Sequence, residues 1–517
     1  MSVLVPRELL DRVTNDQITV IHMLRQAAAL KPGATAVECD GVTLSYAELE
    51  KCVRGFADEL LNAGGSGKII LMALDNSIEL IVTTYAVLAV RAQLCPVNPR
   101  FTERELAEIV NDAEPAIIIS SGSIADTLAS LPQGDKVVRL DQKTDVWLRP
   151  WLGENSKNLE EENFPDIAAM ALLQYTGGTT GLPKGVNLTH RQMATNIAQR
   201  EACLPTETDD ERILCVMPLY HVFATAMCLY LAVACRGALH ILKAYSPEAV
   251  FDAVARHKIT IFPAGPAVFN SLMAHQDFTN ADFSSLHFCV SGSASLPLEI
   301  LNKWDESVRK PVYEGYGQTE AGPVVSFNSP LFPVKPGSVG RPIPQTDVEI
   351  VDPQNGAACL PTGDIGEIRV RGPQLMTGYR NRPGETLEAL RDGWLYTGDL
   401  GCLDEDGYLY IRGRKKEMII VSGFNVYPRE IDEVLISHRG VSEAATIGTP
   451  DARRGEAPHA FVVLNTDQAI GEKELLEYCR KNLTAYKIPL SIRLLDDMPR
   501  TSVGKIDIVA LQEIALD

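Results

Sequence analysis

About a third of the way along its length the chain reads Gln174-Tyr175-Thr176-Gly177-Gly178-Thr179-Thr180-Gly181-Leu182-Pro183-Lys184-Gly185-Val186. The polar part of this segment lies between two short apolar runs, Ala171–Tyr175 and Gly185–Leu188, which indicate buried strands. Glycines let successive backbone N–H groups turn toward one point, and threonine hydroxyls and a lysine add donors that suit phosphate oxygens. The pattern therefore predicts a loop between two strands that holds a nucleoside triphosphate.

The lysine of this loop does not stand in the context of the common P-loop. In that motif the lysine follows a glycine and precedes Ser or Thr. Here Lys184 lies between Pro183 and Gly185, which indicates a different phosphate chemistry. Taken alone, a loop of glycine and threonine also fits a flexible surface connection.

Length and composition describe an ordinary globular protein of more than one domain. With 517 residues the chain exceeds what one hydrophobic core usually supports. The net charge of −19 argues against nucleic acid and against anionic lipid as partners. From Arg414 onward there are 14 Lys and Arg against 16 Asp and Glu, so the C-terminal part is nearly neutral and better able to approach a polyphosphate.

The cysteines and the longest apolar segment indicate a cytoplasmic protein. Eleven cysteines occur without Cys-x-x-Cys pairs or zinc spacing, and no signal peptide is expected at the N-terminus. The segment 213–235 is long enough to span a bilayer, but Pro218, Tyr220 and His221 interrupt it. We predict a buried strand, a turn and a buried helix there, and no integral membrane span.

The periodicity changes along the chain and predicts separate structural units. Before residue 336, apolar runs alternate with amphipathic helical patterns, which argues for parallel sheets covered by helices. After Pro336, short strands separated by Gly, Pro and Asp turns predict an antiparallel subdomain. The charged segment 414–417 then precedes about 100 residues, the size of a small domain.

Four further motifs carry chemistry only as a set. Glu320 in Tyr316-Gly317-Gln318-Thr319-Glu320 offers oxygen ligands for Mg²⁺, although a solvated glutamate is the simpler interpretation. Asp399 follows a glycine and is able to accept ribose hydroxyls, or simply to form a turn. Arg414 begins a charged run that also fits a solvated surface, and Lys505 ends a small-residue loop where most lysines face water.

In order and spacing these motifs resemble the acyl-activating, adenylate-forming superfamily, and most of all the bacterial fatty acyl-CoA synthetases. The resemblance covers nearly the whole chain. It implies an α/β fold with a large N-terminal domain of two helix-covered mixed sheets and a small antiparallel subdomain, followed by a small mobile α+β domain. The domains implied are residues 1–413, a hinge at 414–417 and residues 418–517.

The resemblance also implies a role for each matching residue. The phosphate and nucleotide site comprises Thr176, Gly177, Gly178, Thr179, Thr180, Gly181, Lys184, Gly292, Ser293, Ala294, Glu314, Gly315, Tyr316, Gly317, Thr319, Asp399, Arg414 and Lys505. Glu320 is the implied Mg²⁺ ligand, and Lys505, Thr176, Glu320 and Lys184 are the implied catalytic residues. Lys416 matches the hinge, and Gly423 with Phe424 matches the loop beside the thiol channel. The implied co-substrates are ATP and coenzyme A.

The chemistry of a carboxylic acid explains this set. At pH 7 the acid is already an anionic nucleophile and needs no general base. Attack on the α-phosphate instead needs alignment and neutralisation of charge on the departing pyrophosphate, which lysines, magnesium and backbone N–H groups provide. In the second step a thiol attacks the acyl-adenylate, and this step needs Gly423 rather than Lys505 in the site. Lys505 is therefore expected to leave before Gly423 faces the thiol.

Local matches to the fatty acyl-CoA synthetases favour a medium- or long-chain fatty acid. The predicted walls of the acyl pocket are His221, Val222, Phe223, Ala264, Gly265, Phe269, Gly292 and Val325. No Arg or Lys stands among them to pair with a second carboxylate, which favours an apolar tail. Aryl acids, a carrier-protein phosphopantetheine as acceptor, and a degenerate nucleotide-binding scaffold remain alternatives, and a homodimer is left open.

Overall fold

The computed structural model describes residue 13 and residues 18–153, 164–176, 183–354, 356, 358–451, 453–465, 470–501 and 505–516. The helices in these residues are Val20–Leu30, Tyr46–Asn62, Ile78–Ala89, Glu103–Ala113, Gly122–Ser130, Thr144–Leu148, His190–Cys203, Val222–Ala224, Leu231–Cys235, Pro247–His257, Pro266–Ala274, Leu298–Val308, Pro383–Ala389, Pro428–Ile436, Glu472–Asn482 and Ile508–Leu516. A π-helical segment, Thr225–Tyr230, joins two of them.

The first sheet contains the hairpin that the opening motif predicts. Its seven described strands, in the order in which they pair, are Gly378–Tyr379, Lys184–Thr189, Met170–Thr176, Gln93–Pro96, Ile69–Ala73, Ile117–Ser120 and Val137–Arg139. The pairs from Met170–Thr176 to Val137–Arg139 are parallel, and the other two are antiparallel. The sheet is therefore mixed, as predicted.

The second sheet is also mixed and is the largest in the described chain. Its nine strands, in pairing order, are Arg341–Pro342, Val324–Phe327, Val312–Gly317, Phe288–Ser291, Ile261–Ala264, Arg212–Cys215, Ala238–Ile241, Thr35–Cys39 and Val42–Ser45. The strands from Val312–Gly317 to Thr35–Cys39 run parallel, with antiparallel strands at both edges. Such parallel strands are buried on both faces, which explains their continuous apolar runs.

Two five-stranded sheets complete the described fold. The antiparallel one pairs Asp347–Val351, Gly366–Arg371, Trp394–Leu403 and Leu390–Arg391, with Leu409–Arg414 also on Trp394–Leu403. The C-terminal one pairs Phe424–Val426, Ile419–Val421, Gly455–Leu464 and Val441–Asp451, with Ser491–Leu495 also on Gly455–Leu464. The C-terminal sheet has its own apolar core with the helices packed on it. The predicted α/β architecture is confirmed.

The apolar segment 213–235 adopts the predicted buried strand, turn and helix. Arg212–Cys215 is a strand of the nine-stranded sheet, and the helical part from Val222 to Cys235 packs into the core between the sheets. Among the described residues, no helix combines the length and apolar character needed to cross a bilayer.

The end of the hairpin starts the next helix through a capping box. The Thr189 hydroxyl accepts from the Gln192 backbone N–H at 3.3 Å, and Gln192 Oε1 accepts from the Thr189 N–H at 2.7 Å. These bonds satisfy two donors that the first helical turn leaves unpaired. As a result, the helix His190–Cys203 begins directly after the hairpin strand.

Candidate active site

The hairpin places Thr176 and Lys184 opposite each other at its tip. The two residues pair in register, and the Thr176 hydroxyl lies 3.4 Å from the Lys184 carbonyl oxygen. The predicted phosphate-loop residues Gly177, Gly178, Thr179, Thr180 and Gly181 lie outside the described residues. The structure therefore describes the two strands that carry the loop and its two end residues.

The Lys184 ammonium contacts a carboxylate, that of Glu385, and the face of an aromatic ring, that of Tyr379. It forms an ion pair with Glu385, and its nitrogen lies 5.3 Å from the centre of the Tyr379 ring. Tyr379 reaches this position because its strand, Gly378–Tyr379, adds to the edge of the hairpin. The hydroxyl of Tyr379 in turn donates to Glu320 Oε1 at 3.0 Å, so the hairpin tip and Glu320 belong to one cluster.

Glu320 lies on a short 3₁₀ turn, Thr319–Ala321, that follows the strand Val312–Gly317. Burial raises the pKa of this carboxyl, while a backbone hydrogen bond and the Tyr379 hydroxyl act in the opposite direction. One of its oxygens accepts a hydrogen bond from Tyr379. A carboxylate has several acceptor sites, so Glu320 keeps capacity for a further ligand. The residue is thus held at the parallel sheet's carboxyl edge, where ligands of α/β proteins usually bind.

Asp399 is a buried carboxylate with a partner on each oxygen. Tyr316 donates its hydroxyl to Oδ2 at 2.5 Å, and Arg414 Nε lies 2.9 Å from Oδ1. Burial raises the pKa of Asp399, and the Arg414 charge opposes that rise. The pair with Arg414 follows from register, because the two residues face each other on neighbouring antiparallel strands.

Lys505 from the C-terminal domain reaches this same cluster. Burial and then the Arg414 guanidinium lower the pKa of its ammonium, while Asp399 and Glu320 act in the opposite direction. Lys505 also lies within electrostatic reach of His221, whose pKa falls to about 4 through burial and then through the lysine charge. The structure therefore brings together four residues that are far apart in the sequence: His221, Glu320, Asp399 and Lys505.

His221 is held as a neutral ring with a defined acceptor. Its Nδ1 accepts from the Phe223 backbone N–H at 3.3 Å and caps the helical segment that follows. With Nδ1 accepting, the ring hydrogen of the neutral form is on Nε2. The depressed pKa keeps that form dominant at neutral pH.

The predicted adenine frame lies on two neighbouring parallel strands. Gly292, Ser293 and Ala294 follow the strand Phe288–Ser291, and the strand beside it carries Glu314, Gly315, Tyr316 and Gly317. Buried Glu314 fixes the first loop by accepting from the Leu296 N–H at 2.9 Å, and burial raises its pKa to about 7. A side chain at Gly292 would meet the Phe223 ring at 2.5 Å, so the absence of a Cβ lets that ring approach the backbone.

The predicted thiol loop is on the solvent side of the C-terminal domain. Gly423 has φ +85° in the turn between the strands Ile419–Val421 and Phe424–Val426, and Phe424 is 55% exposed. The Phe424 ring stacks on Tyr486 with centres 4.7 Å apart. Lys505 is therefore inside the cluster while the Gly423 turn is outside it.

Two cation contacts join the segment around Lys416 and the C-terminal domain to the large domain. Lys415 Nζ lies 2.7 Å from Glu367 Oε2, and Arg429 Nη1 donates to Ser295 Oγ at 2.7 Å and to the Ile411 carbonyl at 2.8 Å. Lys416 follows the first of these anchors directly. The contacts hold the C-terminal domain in the orientation that places Lys505, partly buried, near Asp399 and Glu320.

An apolar cavity of about 30 Å³ is lined by Val222, the residue after His221, and by residues of both large sheets. Of the predicted acyl-pocket residues, Val222 lines it, while Phe223 packs at Gly292 and Phe269 packs in a separate core against Phe262 and Trp304. The other predicted residues, Ala264, Gly265, Gly292 and Val325, lie outside its lining. Most of the walls are aliphatic or sulfur-containing and include Met72, Leu94, Leu172, Leu188, Met193, Ile197, Leu219, Met227 and Leu231.

Sequence reasoning missed three residues of this region. Tyr379 and Glu385 contact Glu320 and Lys184 only because the chain folds a remote strand and helix onto the hairpin. Arg200 lines the cavity, although no Arg or Lys was expected there. The sequence does indicate this position. Met193, Asn196, Ile197 and Arg200 have helical spacing, which places the arginine on the same helix face as the apolar residues.

Comparisons with known proteins agree with this geometry over nearly the whole chain. A model of the AMP-binding enzyme family matches residues 24–380, and a model of the AMP-binding enzyme C-terminal domain matches residues 430–505. The long-chain-fatty-acid–CoA ligase of Bacillus subtilis strain 168 is 34% identical over 94% of this chain and 93% of that protein. The feruloyl-CoA synthase of an Amycolatopsis species is 35% identical over 93% and 95% of the two chains.

The solved structure of ATP-bound MatB from Rhodopseudomonas palustris has the same fold. It superposes with a TM-score of 0.89 at 30% identity and covers 97% of this chain and 99% of its own. The apo form of the same protein gives a TM-score of 0.79 with the same coverage. The arrangement described for this chain is therefore closer to the ATP-bound form than to the apo form.

Proposed function

Because this chain belongs to the AMP-binding enzyme family and is an AMP-forming acid–CoA ligase, we propose that its acid is a medium- or long-chain fatty acid. ATP, coenzyme A and a small carboxylic acid are the substrates of such a ligase. The acid first forms an acyl-adenylate and pyrophosphate, and the thiol then forms the thioester and releases AMP.

The apolar cavity beside His221 is the observation that carries the choice of acid. A carboxylate placed between His221 and Lys505 leaves its tail at Val222, where the aliphatic walls begin. Burying a methylene group contributes roughly 0.8 kcal/mol, about a fourfold gain in kcat/KM for each methylene that enters the cavity. A tail long enough to reach these apolar walls gains from contact with them, whereas a short acid does not reach them.

In the first step, Lys505 supplies a cation to the reacting groups. Its ammonium neutralises charge that develops when the carboxylate attacks the α-phosphate, and its reduced pKa reflects the desolvated position that strengthens such interactions. His221 contributes a neutral Nε2–H donor that orients the acid. Neither residue has to remove a proton, since the acid is ionised at neutral pH.

For ATP itself, each predicted residue has a separate task. Thr176 and Lys184 hold the β- and γ-phosphates, Asp399 with Arg414 binds the ribose hydroxyls, and the two loops at Gly292 and Gly315 frame the adenine. Glu320 fits as a Mg²⁺ ligand, since Mg²⁺ takes one or two carboxylates together with substrate phosphates. When bound, Mg²⁺ neutralises phosphate charge; the chain's own part is to present the Glu320 oxygens, which Tyr379 holds in place.

The second step requires the C-terminal domain to turn about the hinge 414–417, between domains 1–413 and 418–517. In the described arrangement Lys505 is partly buried near Asp399 and Glu320 while Phe424 is exposed, which suits adenylation and not thiol entry. Rotation at Lys416 removes Lys505 and brings Gly423 and Phe424 to the acyl-adenylate. All eleven cysteines are free thiols, in keeping with a reducing cytoplasmic setting.

An aryl acid is the second candidate, because the relatives include a feruloyl-CoA synthase that is 35% identical. Pyrophosphate release measured across C2–C18 and aromatic acids, with and without CoA, separates the two. Rising kcat/KM with each added methylene up to a maximum supports the fatty acid. Activity confined to aromatic acids refutes it. Thioester formation only on a carrier protein, and never on CoA, refutes CoA as the acceptor.

A further inference from the structure

The cavity beside His221 is not apolar throughout. Arg200 and Tyr230 both line it, and both are buried, with Arg200 2% and Tyr230 5% exposed. The Arg200 Nε and Nη2 atoms and the Tyr230 hydroxyl have no hydrogen-bond partner among the described residues. Since buried polar atoms are almost always paired, three unpaired ones on one cavity indicate a missing partner.

These polar groups lie away from the reacting end. Val222 follows His221 directly, whereas Tyr230 is eight positions further along the same helical segment. The Arg200 charge acts electrostatically on Cys228, two positions before Tyr230, so the guanidinium lies near this end of the segment. The cavity is thus apolar near Val222 and polar at its far end.

The charge at the far end is already balanced. Arg200 Nη1 forms an ion pair with Glu201 Oε2 at 2.8 Å, and the side chains of this pair are 3% and 9% exposed. The second Glu201 oxygen accepts from the Thr206 N–H and hydroxyl. A further carboxylate would add an unbalanced buried charge, which is strongly unfavourable, whereas a neutral oxygen would satisfy the free donors without that penalty.

We propose that this cavity selects fatty acids that carry an uncharged oxygen, a hydroxyl or a keto group, at or near the tail end. The oxygen accepts from Arg200 and exchanges a hydrogen bond with Tyr230, while the intervening methylenes pack on the aliphatic walls. The proposal rests on the fatty-acid ligase function and adds the class of tail.

The test compares length-matched acids with a methyl, a hydroxyl or a carboxylate at the ω position, from C8 to C16, by the kcat/KM of pyrophosphate release. At the length where the tail reaches Arg200, we expect the hydroxy acid to exceed the plain acid by about tenfold, the effect of one buried hydrogen bond. The ω-carboxylate is expected to be the poorest of the three at that length. Equal rates for the plain and hydroxy acids at every length, or a preference for the dicarboxylate, would overturn the proposal while leaving the fatty-acid function intact.

Variants with a matched control locate the effect. Tyr230→Phe removes one donor and should lower the hydroxy-to-plain ratio severalfold with little change for the plain acid. Arg200→Lys keeps the cation beside Glu201 but removes the planar donor set, and it should lower the same ratio. Tyr85→Phe is the control, because the Tyr85 hydroxyl is also unpaired and its ring lies 6.2 Å from Tyr230, yet it does not line the cavity. An unchanged ratio in Tyr230→Phe and Arg200→Lys, or an equal fall in Tyr85→Phe, counts against the proposal; failure of all fatty acids refutes the underlying function instead.

Discussion

Asp399 Oδ1 lies 2.9 Å from Arg414 Nε, directly across two antiparallel strands. The carboxylate is buried, while nearly half of the arginine side chain is exposed. Arg414 is the last residue of its strand and the first residue of the segment 414–417, and the Lys505 ammonium is close enough for both charges to affect its pKa. The ion pair therefore links this segment electrostatically to Lys505.

Replacing Lys505 should separate the two half-reactions. Lys505→Ala removes the partly buried cation near Asp399 and Glu320, so we expect adenylation to fall by about 10²–10³-fold, as when one transition-state donor is lost. Thioester formation from preformed acyl-AMP should change little. ATP–pyrophosphate exchange and single-turnover thioester assays measure the two steps, and equal losses in both would refute the division of roles.

Restricting the hinge should have the opposite effect. Lys416→Pro fixes one backbone angle of the residue between the Lys415 anchor and the C-terminal domain, so the domain should stay in the adenylating orientation. We expect near-normal pyrophosphate exchange and strongly reduced acyl-CoA formation. Lys416→Ala is the control, since it removes the side chain without restricting the backbone. Normal turnover of the proline variant would show that rotation occurs elsewhere.

Glu320 should determine the requirement for Mg²⁺. Glu320→Gln keeps the size of the side chain and an acceptor for Tyr379 but removes the negative charge. The Mg²⁺ concentration at half-maximal pyrophosphate release should rise at least tenfold. Asp347→Asn, which alters a surface carboxylate paired with Arg371, is the control and should leave that concentration unchanged. The same Mg²⁺ curve for Glu320→Gln and wild type would remove Glu320 as a ligand.

Two glycines offer a test of close packing next to the nucleotide loop. A Cβ at Gly292 would meet the Phe223 ring at 2.5 Å, whereas at Gly265 its nearest contacts are 3.8 and 3.9 Å. Gly292→Ala should therefore destabilise the protein by about 1–3 kcal/mol and raise the KM for the acid or ATP. Gly265→Ala should be nearly neutral. Thermal unfolding with kinetics distinguishes them, and similar behaviour of the two variants would contradict the packing argument.

His190 should make the stability depend on pH in mild acid. Its ring is buried, neither ring nitrogen has a hydrogen-bond partner in the described part of the chain, and burial lowers its pKa from 6.5 to about 4. Between these values the unfolded chain binds a proton that the folded chain does not, so stability is greatest above pH 6.5 and falls on acidification toward pH 4. The full loss is about 3 kcal/mol.

His190→Met removes this titration while filling a similar volume. Thermal unfolding from pH 4.5 to 7.5 should show a smaller loss of Tm on acidification for His190→Met than for wild type. His438→Gln, in the C-terminal domain, is the control and should follow the wild-type curve. Parallel curves for His190→Met and wild type would mean that other groups cause the acid sensitivity.

Sequence patterns predicted most of the fold because apolar periodicity determines which faces are buried. The two runs around the opening motif form the hairpin Met170–Thr176 and Lys184–Thr189, and the interrupted apolar segment forms a strand and a buried helix. Of the residues predicted for the acyl pocket, only Val222 lines the described cavity. Phe269 is as apolar as a pocket wall should be, but it packs against Trp304 in a separate core. Composition cannot distinguish an apolar side chain that faces a cavity from one that faces another side chain.

The sequence by itself determined the fold class and the residue types able to handle ATP, since strand and helix periods and loop donors are local properties of the chain. Tertiary structure alone decided which of those residues meet. Lys505 approaches Asp399 and His221 only through the placement of the C-terminal domain, and Tyr379 reaches Glu320 only through an added edge strand. The polar end of the cavity was also decided by the tertiary structure alone. Whether Arg200 and Tyr230 have hydrogen-bond partners depends on how separate helices pack.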